Sequence, residues 1–253
     1  MGDDTQPVIA VHGLHKTLGT QEVLRGVELQ VARGETCVIL GRSGCGKSVL
    51  LRHLIGLLKP TSGKVLIDGQ DIAQLPERKL LEVRRKVGML FQSAALFDSM
   101  SVEQNVAFPL LEAGIKDPIV IRERVTEALD MVDLLGSEQK MPEKLSGGMR
   151  KRVGLARTIV GRAQCILYDE PTTGLDPITS DSINHLIRRL QTRLRVTSVV
   201  VTHDMKTAFH TADHVVFLHE GRVYFNGTIE TLRATTDPVM TDFIEGRSEE
   251  SYA

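Results

Sequence analysis

The sequence predicts an α/β fold with a parallel core sheet, a smaller antiparallel sheet and a helical lobe. Two strands with continuous apolar runs, Cys165–Asp169 and Thr197–Thr202, are separated by a helical stretch, which is typical of a parallel sheet buried on both faces. Valine-rich strands with glycine turns in the first third favour the antiparallel sheet. Because residues 96–145 carry no strand pattern, we expect the helical lobe at about 96–160, including the helix that follows.

The first third of the chain alternates short strands with turn residues. Gly19 and Gly34 separate the early strands, and Asp68-Gly69 is a hairpin-type turn that closes the last of them. The predicted strands are Val8–Val11, Val23–Val31, Glu35–Leu40 and Val65–Asp68. We expect these strands to form the small antiparallel sheet, beside the glycine-rich loop at residues 41–48.

Capping residues mark the predicted helices. Ser101 and Gln104 have the spacing of a capping box, and Asp117-Pro118 supplies the N-cap and first turn of a helix that we expect Gly136 to end. Asp176-Pro177 opens another helix in the same way. The predicted helices are Val49–Leu58, Ser101–Ala113, Asp117–Leu135, Arg150–Val160, Asp176–Leu194 and Asp237–Glu245, and a hairpin joins His214–Leu218 to Arg222–Phe225.

The composition sets limits on function. The 253 residues are 42% hydrophobic and 25% charged, which allows a sizeable core and predicts one domain over residues 1–246, with a flexible tail at 247–253. The net charge of −1 predicts no nucleic-acid partner. The apolar runs are only strand-sized, and the polar start MGDDTQP predicts no signal peptide. Three cysteines without metal spacing are expected to be free thiols in a reducing cytoplasm.

The glycine-rich loop has the spacing G-x-x-x-x-G-K-S between an apolar strand and an apolar-periodic helix. Its residues are Gly41, Arg42, Ser43, Gly44, Cys45, Gly46, Lys47 and Ser48. Glycines let successive backbone N–H groups turn toward phosphate oxygens, and the helix N-terminus adds partial positive charge. We therefore expect Lys47 to bind the β- and γ-phosphates, Ser48 to ligate Mg²⁺ and Val49 to contribute to the nucleotide site. A glycine-rich turn with an exposed lysine is the alternative.

Two carboxylates stand at the end of the strand Cys165–Asp169. Asp169 ends the strand, where a carboxylate can hold a magnesium ion or its bound water. Glu170 lies one residue further on, a suitable position for a base that orients the attacking water. A solvated acidic pair is the alternative for both. Asp176 is expected to cap its helix, to contact the site of another subunit, or to do both.

A second glycine-rich motif precedes the helix Arg150–Val160. Ser146, Gly147 and Gly148 at a helix start form a donor-rich nest for anionic oxygens, although an ordinary N-cap serine is the simpler interpretation. Glycine in the first turn of a helix lowers its stability and adds no side-chain packing, which favours the nest. One ATP does not need two nests from one chain, so the sequence predicts that two copies pair head to tail and hydrolyse ATP between them.

In their order and spacing, these motifs resemble the nucleotide-binding subunit of ATP-binding-cassette (ABC) transporters over nearly the full chain. The resemblance implies a P-loop NTPase core with an antiparallel subdomain and a helical subdomain that carries the signature loop around Ser146. It implies that Gln92 is a metal-touching hinge residue, that His203 contacts the γ-phosphate, and that Thr173-Gly174-Leu175-Asp176 crosses between subunits. The family usually stacks an aromatic residue on adenine where this chain has Leu18, so we expect weaker or less selective adenine binding.

Met149 and the segment from Phe91 to Leu110 are similar to the lipid-handling branch of the family, which includes Mla-type (maintenance of lipid asymmetry) and mammalian-cell-entry (Mce)-associated ATPases. That resemblance implies a separate membrane permease, an Mce-type lipid-binding subunit and a position on the cytoplasmic face of the inner membrane. It also implies phospholipid transport between the inner and outer membranes of a diderm bacterium.

Several alternatives stay open at this point. The apolar cluster of Leu96, Phe97 and Phe108 is expected either to belong to the core or to form part of a groove for a permease helix. An ATPase that serves amino-acid or metal uptake or a cell-division complex is one alternative function. A soluble ATPase that acts on DNA or ribosomes is another, although the chain has neither a second cassette nor a basic block.

Overall fold

The computed structural model describes residues 6–247, which fall into two compact units. The first unit contains the residues up to Ala73 and from Val201 onward, and the second contains Gln74–Val200. The predicted flexible tail lies outside the described residues except for Arg247. The expectation of one domain over residues 1–246 stays a prediction.

The secondary-structure elements divide between the two units in three consecutive stretches of the chain. The first unit begins with β1 (Ile9–Leu18), β2 (Gln21–Val31), β3 (Thr36–Leu40), α1 (Lys47–Leu54), β4 (Ser62–Ile67) and β5 (Gln70–Asp71). The second unit contains α2 (Glu77–Lys86), β6 (Val87–Leu90), α3 (Val102–Glu112), α4 (Pro118–Met131), a 3₁₀ turn (Pro142–Lys144), α5 (Gly147–Ile159), β7 (Cys165–Asp169), α6 (Pro177–Leu194) and most of β8 (Thr197–Thr202). The first unit resumes with α7 (Met205–Thr211), β9 (His214–His219), β10 (Arg222–Gly227), α8 (Ile229–Arg233) and α9 (Pro238–Glu245).

The predicted antiparallel sheet is present in the first unit, with one change of membership. Its strand order is β2-β1-β4-β5, and the Asp68-Gly69 turn joins β4 to β5 as expected. The expectation that Glu35–Leu40 belongs to this sheet is wrong, because β3 pairs in parallel with β9 from Cys37 to Leu40. All five residues of β3 are buried, as in a strand that is covered on both faces.

Helices α3 and α4 of the second unit begin where their caps predict. The Ser101 hydroxyl accepts from the Gln104 N–H at 3.3 Å, and the Gln104 side chain accepts from the Ser101 N–H at 2.9 Å, which confirms the capping box. Asp117 caps α4 by accepting from the Ile119 N–H at 2.9 Å. No strand lies between residues 96 and 145 of the described chain, as expected for a helical lobe.

The end of α4 was predicted too late. The helix ends at Met131 rather than Leu135, and Gly136 therefore does not end it. The chain leaves the helix because Asp133 takes a left-handed conformation with φ at 57°. In that position its carboxylate accepts from Arg152 of α5 at 2.7 Å and from Arg189 of α6 at 2.6 Å. These hydrogen bonds, led by the one from Arg189, lower the pKa of Asp133 and tie three helices together.

Within residues 6–247, three α-helices and two short strands were missing from the sequence prediction: α2, α7, α8, β5 and β6. Helix α2 buries only Leu80 and Val83, so its apolar pattern is weak. Helices α7 and α8 are each shorter than two turns, which is too short for a helical repeat of apolar residues to be recognised. Strand β6 pairs in parallel with β7. A Cβ on Gly88 of β6 would lie 2.5 Å from the Thr158 side chain, so packing rather than strand propensity selects glycine there.

The last elements of the first unit confirm the predicted hairpin and final helix. Strands β9 and β10 pair antiparallel, with Arg222 opposite His219. The Asp237 carboxylate caps α9 and also accepts from the Tyr224 hydroxyl at 2.9 Å, and the Phe217 and Phe243 rings lie 4.9 Å apart. Cys37, Cys45 and Cys165 form no disulfide bond. Of the helices within residues 6–247, none is long and apolar enough to cross a bilayer.

A partly buried histidine contributes to the junction between β3 and β9. The His214 Nδ1 lies 3.1 Å from the Glu35 carboxylate, and its Nε2 contacts the Asn226 amide oxygen. Hydrogen bonds with the Cys37 thiol and with Glu35 raise the pKa of His214 to about 11. Burial raises the pKa of the Cys37 thiol, so Glu35 supplies the negative charge that faces the imidazolium.

We expect this histidine to make the stability of the first unit dependent on pH. Because the folded pKa is raised, the stabilisation is complete below the ordinary value of 6.5 and is lost as pH rises toward about 11. The free energy of unfolding of the wild type, minus that of His214→Gln, should fall by about 1 kcal/mol between pH 6 and pH 9 in urea titrations. A difference that is the same at both pH values would contradict this role.

Candidate active site

The predicted phosphate loop joins β3 to α1 in the first unit, and neighbouring strands leave no room for a side chain at two of its glycines. A Cβ on Gly41 would lie 2.4 Å from the Leu218 carbonyl oxygen of β9. Gly46 has φ at 108°, and a Cβ there would lie 2.8 Å from the Leu24 side chain of β2. Both positions therefore need glycine, because a larger residue would push the loop away from the strands that shape it.

Lys47 lies inside the curve of this loop. Its side chain donates to the carbonyl oxygens of Gly41 at 2.7 Å and Arg42 at 3.0 Å, and the residue is only 6% exposed. Gly46 begins α1 without a side-chain cap, and the first turn contains no acidic residue. The positive end of the helix dipole is therefore not neutralised by a carboxylate from this turn, and the lysine and glycines fit a phosphate group. The exposed-lysine alternative does not hold.

The remaining predicted residues of the first unit lie at the start of α1 and at the ends of strands. Ser48 and Val49 belong to the first turn of α1, where both are partly buried. Leu18 is the last residue of β1 and is 43% exposed, so its side chain is available to pack against a flat apolar group. His203 follows β8 in an exposed position.

In the second unit, two buried carboxylates mark the end of β7. Asp169 is the last residue of the strand and Glu170 follows it; they are 7% and 8% exposed. Burial argues against the solvated acidic pair. Glu170 has φ at 47°, an uncommon conformation for a residue other than glycine, and the Thr173 hydroxyl donates to its carboxylate at 3.2 Å. The backbone thus directs Glu170 away from the path of the strand.

A lysine that the sequence prediction missed links two of the predicted site residues. Lys151 of α5 is 4% exposed, and its side chain donates to the carbonyl oxygen of Gln92 and, at 3.2 Å, to that of Glu170. Burial lowers the pKa of Lys151 to about 8, while the charges of Asp169 and Glu170 act in the opposite direction. A sequence signal existed, because Lys151 occupies the buried face of α5 four residues before Leu155.

The loop that follows Gln92 is held by α5. Ala94 and Ala95 have φ values of 62° and 46°, a left-handed pair that costs free energy in residues with a Cβ. Arg157 donates to the Ala94 carbonyl at 2.7 Å and to the Ala95 carbonyl at 2.8 Å. The side chain of Gln92 itself is exposed. The loop conformation therefore depends on a cation that the sequence prediction did not identify.

Buried Asn105 of α3 holds the next part of the same loop. Its side-chain N–H groups donate to the carbonyls of Phe97, Met100 and Ser101 at 3.0–3.1 Å, and its oxygen accepts from the Phe97 N–H at 2.9 Å. Phe97 stays 41% exposed, with its ring 4.8 Å from that of Phe108. This part of the predicted apolar cluster is consequently not core.

The second glycine motif forms the start of α5. Ser146 caps the helix by accepting from the Met149 N–H at 3.2 Å, so the ordinary N-cap interpretation is confirmed and the anion-binding nest stays a prediction. The argument that its glycines have no role in packing is wrong. A Cβ would lie 3.0 Å from the Leu175 side chain at Gly147 and 2.5 Å from the Thr179 side chain at Gly148. These glycines let α5 approach the start of α6.

Asp176 caps α6 as predicted. Its carboxylate accepts from the N–H groups of Ile178 and Thr179, both at 3.0 Å, and the hydrogen bonds with Thr179 lower its pKa. Its possible contact with another subunit stays a prediction. Within the second unit, the structure thus brings Gln92 and Glu170 together through Lys151 and places the Ser146 motif against the start of α6.

Comparison with known proteins identifies relatives along nearly the whole chain. A family model described as ABC transporter matches residues 24–173. The chain is 42% identical, over 97% of its length and 72% of the relative, to the "Probable ribonucleotide transport ATP-binding protein mkl" of Mycobacterium leprae. It is 41% identical to the "Intermembrane phospholipid transport system ATP-binding protein MlaF" of Haemophilus influenzae, over 96% of this chain and 92% of MlaF. The "Methionine import ATP-binding protein MetN" of Carboxydothermus hydrogenoformans is 41% identical over 86% of this chain and 65% of MetN.

Solved structures show the same fold. A dimeric ATP-binding cassette in a post-hydrolysis state, bound to ADP and Pi, matches with a TM-score of 0.80 and 32% identity, covering 87% of this chain and 98% of that one. The cbiO1 protein of Clostridium perfringens, part of the ABC transporter complex cbiONQ, matches with a TM-score of 0.84 and 32% identity over 94% of both chains. The predicted fold class, with its antiparallel sheet and helical lobe, is therefore confirmed.

Proposed function

The chain belongs to the ABC transporter family and is an ATPase of that family, and we propose that it powers phospholipid transport between two membranes through a separate permease. The similarity to MlaF carries this proposal, because it extends over nearly the whole length of both chains. Met149 and the segment after Gln92 support the same branch. The coarser function, an ATP-binding subunit of an ABC transporter, does not depend on the choice of substrate.

The first unit supplies the residues that we propose for nucleotide binding. The N–H groups of Gly41 to Val49 and the Lys47 ammonium bind the phosphates, since loop and helix dipole both favour negative charge there. Lys47 must exchange its two loop carbonyls for phosphate oxygens, which are stronger acceptors for an ammonium group. Leu18 packs against the base without aromatic stacking, and His203 contacts the γ-phosphate.

The second unit supplies the residues that we propose for hydrolysis. Glu170 orients the attacking water and accepts its proton, which suits a buried carboxylate that the Thr173 hydroxyl helps to position. The Gln92 amide and the Asp169 carboxylate offer oxygen ligands for Mg²⁺. A bound magnesium ion would neutralise part of the phosphate charge that develops during phosphoryl transfer.

We further propose that two copies of the chain pair head to tail. Ser146, Gly147 and Gly148 then contribute the start of α5 to the triphosphate bound by the other copy, as a helix N-terminus that favours anions. A dimeric solved relative of similar fold supports this arrangement. Ser146 is exposed, so its hydroxyl is accessible to a second chain.

The loop after Gln92 is our candidate for contact with the permease. Phe97 is exposed beside Phe108, and the Arg157 guanidinium lies 5.9 Å from the Phe97 ring centre. An amphipathic helix could bury this pair of rings by the helix-in-groove mode. Binding through a permease would hold the chain on the cytoplasmic face of the inner membrane. An Mce-type subunit is a further proposed partner.

Amino-acid import is a second candidate function, favoured by the identity to MetN. The two functions differ in the ligand that the intact complex retains. We would purify the tagged chain with its membrane partner from native membranes and identify bound small molecules by mass spectrometry. Phospholipid bound in a fixed ratio to the complex supports lipid transport. ATPase activity that free amino acids stimulate, in a complex without bound phospholipid, would support import instead.

A further inference from the structure

Helix α5 connects the start of the signature motif to the backbone of both proposed hydrolytic residues. Ser146 caps the helix, and Lys151 lies five positions later with its ammonium group on the carbonyls of Gln92 and Glu170. Gln92 and Glu170 are 78 positions apart in the chain. One side chain therefore bridges three separate segments of the second unit.

We propose that Lys151 is a positioning residue for ATP hydrolysis, which holds the peptide groups of Gln92 and Glu170 in the orientation that turnover requires. This inference rests on the proposed roles of those two residues. It adds a residue that contacts neither nucleotide nor water in the proposed mechanism and that acts only through the main chain.

The backbone of Glu170 explains why such a residue is needed. Its left-handed φ of 47° costs free energy and persists only where surrounding contacts determine it. The Glu170 carbonyl accepts from Lys151 at 3.2 Å and from the Thr173 N–H at 3.3 Å. Of these, the contact with Lys151 comes from another helix and can fix the peptide plane relative to α5. Because this peptide group is bonded to the Cα of Glu170, a displacement of the group would also shift the Cα and the side chain that it carries.

The chemistry of the lysine favours positioning over simple packing. A buried ammonium group needs acceptors, and Lys151 uses main-chain carbonyls as its direct acceptors, while the carboxylates of Asp169 and Glu170 lie near enough to favour its charge. A methyl-terminated side chain would fill the same space but could not donate. Lys151 therefore acts on Glu170 through its main-chain carbonyl.

The test compares Lys151→Met and Lys151→Arg with the wild type in the full-length purified chain. Methionine keeps the length of the side chain and removes its donors, so kcat for ATP should fall roughly ten- to hundredfold at nearly unchanged KM. Arginine keeps charge and donors and should recover part of that loss. Lys140→Met, at an exposed lysine of the same unit, is the matched control and should behave as wild type.

The outcomes separate this inference from the proposed hydrolytic roles. A wild-type kcat in folded Lys151→Met would overturn the inference. So would a loss of kcat/KM that comes entirely from a higher KM. If Lys151→Met does not fold, Lys151→Gln decides in the same way, because it removes the ammonium charge and keeps a neutral amide NH₂ group that limits the loss of stability. Glu170→Gln belongs in the same assay. If it keeps full turnover, the proposed role of Glu170 fails, whatever the lysine variants do.

Discussion

Glu170→Gln should lower ATP turnover by about 10²-fold or more while ATP binding is retained, since a neutral amide cannot accept the proton of the attacking water. The substitution keeps the size of the side chain, and the amide oxygen can still accept from the Thr173 hydroxyl that now lies 3.2 Å from the carboxylate. The loss should therefore appear in kcat and not in KM. Steady-state ATPase assays and equilibrium binding of a fluorescent ATP analogue measure the two quantities.

The same variant should accumulate as a nucleotide-bound pair, because chains that bind ATP without hydrolysing it cannot leave the paired state by turnover. Size-exclusion chromatography with ATP tests this, and Glu127→Gln, an exposed glutamate of α4, is the control. Undiminished hydrolysis by Glu170→Gln would remove Glu170 as the base. Loss of ATP binding would instead indicate that the substitution disturbs the fold around β7.

Ser146→Asp is expected to abolish most hydrolysis without weakening ATP binding to the single chain. Aspartate is as good an N-cap as serine, so α5 should keep its start and the Met149 N–H its acceptor. In a head-to-tail pair, however, the new carboxylate would face the triphosphate of the other copy and repel it. We expect turnover to fall by roughly 10²-fold, comparable to the loss of an electrostatic group at a transition state.

Mixing two inactive variants gives the sharpest test of that arrangement. A chain with Ser146→Asp keeps its phosphate loop, and a chain with Lys47→Ala keeps its signature serine, so a mixed pair contains one complete site. With random pairing, an equal mixture should recover about a quarter of wild-type turnover, because half of the pairs are mixed and each has one intact site. A mixture no more active than its separate components would contradict the two-chain site.

The sequence was sufficient wherever a local rule operates. The capping box at Ser101, the Asp117-Pro118 and Asp176-Pro177 helix starts, and the strands Cys165–Asp169 and Thr197–Thr202 all lie where predicted. Caps and fully buried strands depend on a few neighbouring residues, so their signals survive folding unchanged. The phosphate loop belongs to the same class, because its glycine spacing and flanking elements are local.

Errors occurred where a distant group decided the conformation. Helix α4 stops early because arginines from two other helices bind Asp133, and β3 leaves the antiparallel sheet because its parallel partner β9 comes from the other end of the chain. Gly148 is required by the Thr179 side chain of a separate helix. Each of these partners is too distant in the sequence to contribute to a local pattern of residues.

By itself, the sequence determined the fold class, the order of the nucleotide motifs and the residue types available for hydrolysis, because each of these depends on the spacing of nearby residues. Only the tertiary structure decided that Lys151 joins Gln92 to Glu170. It also decided that Arg157 and Asn105 hold the loop between Gln92 and α3. The physical reason is that every residue has the same main-chain carbonyl group, so the sequence does not mark which carbonyls accept these hydrogen bonds. Which cation or amide reaches them depends on how helices pack, and not on the order of the residues.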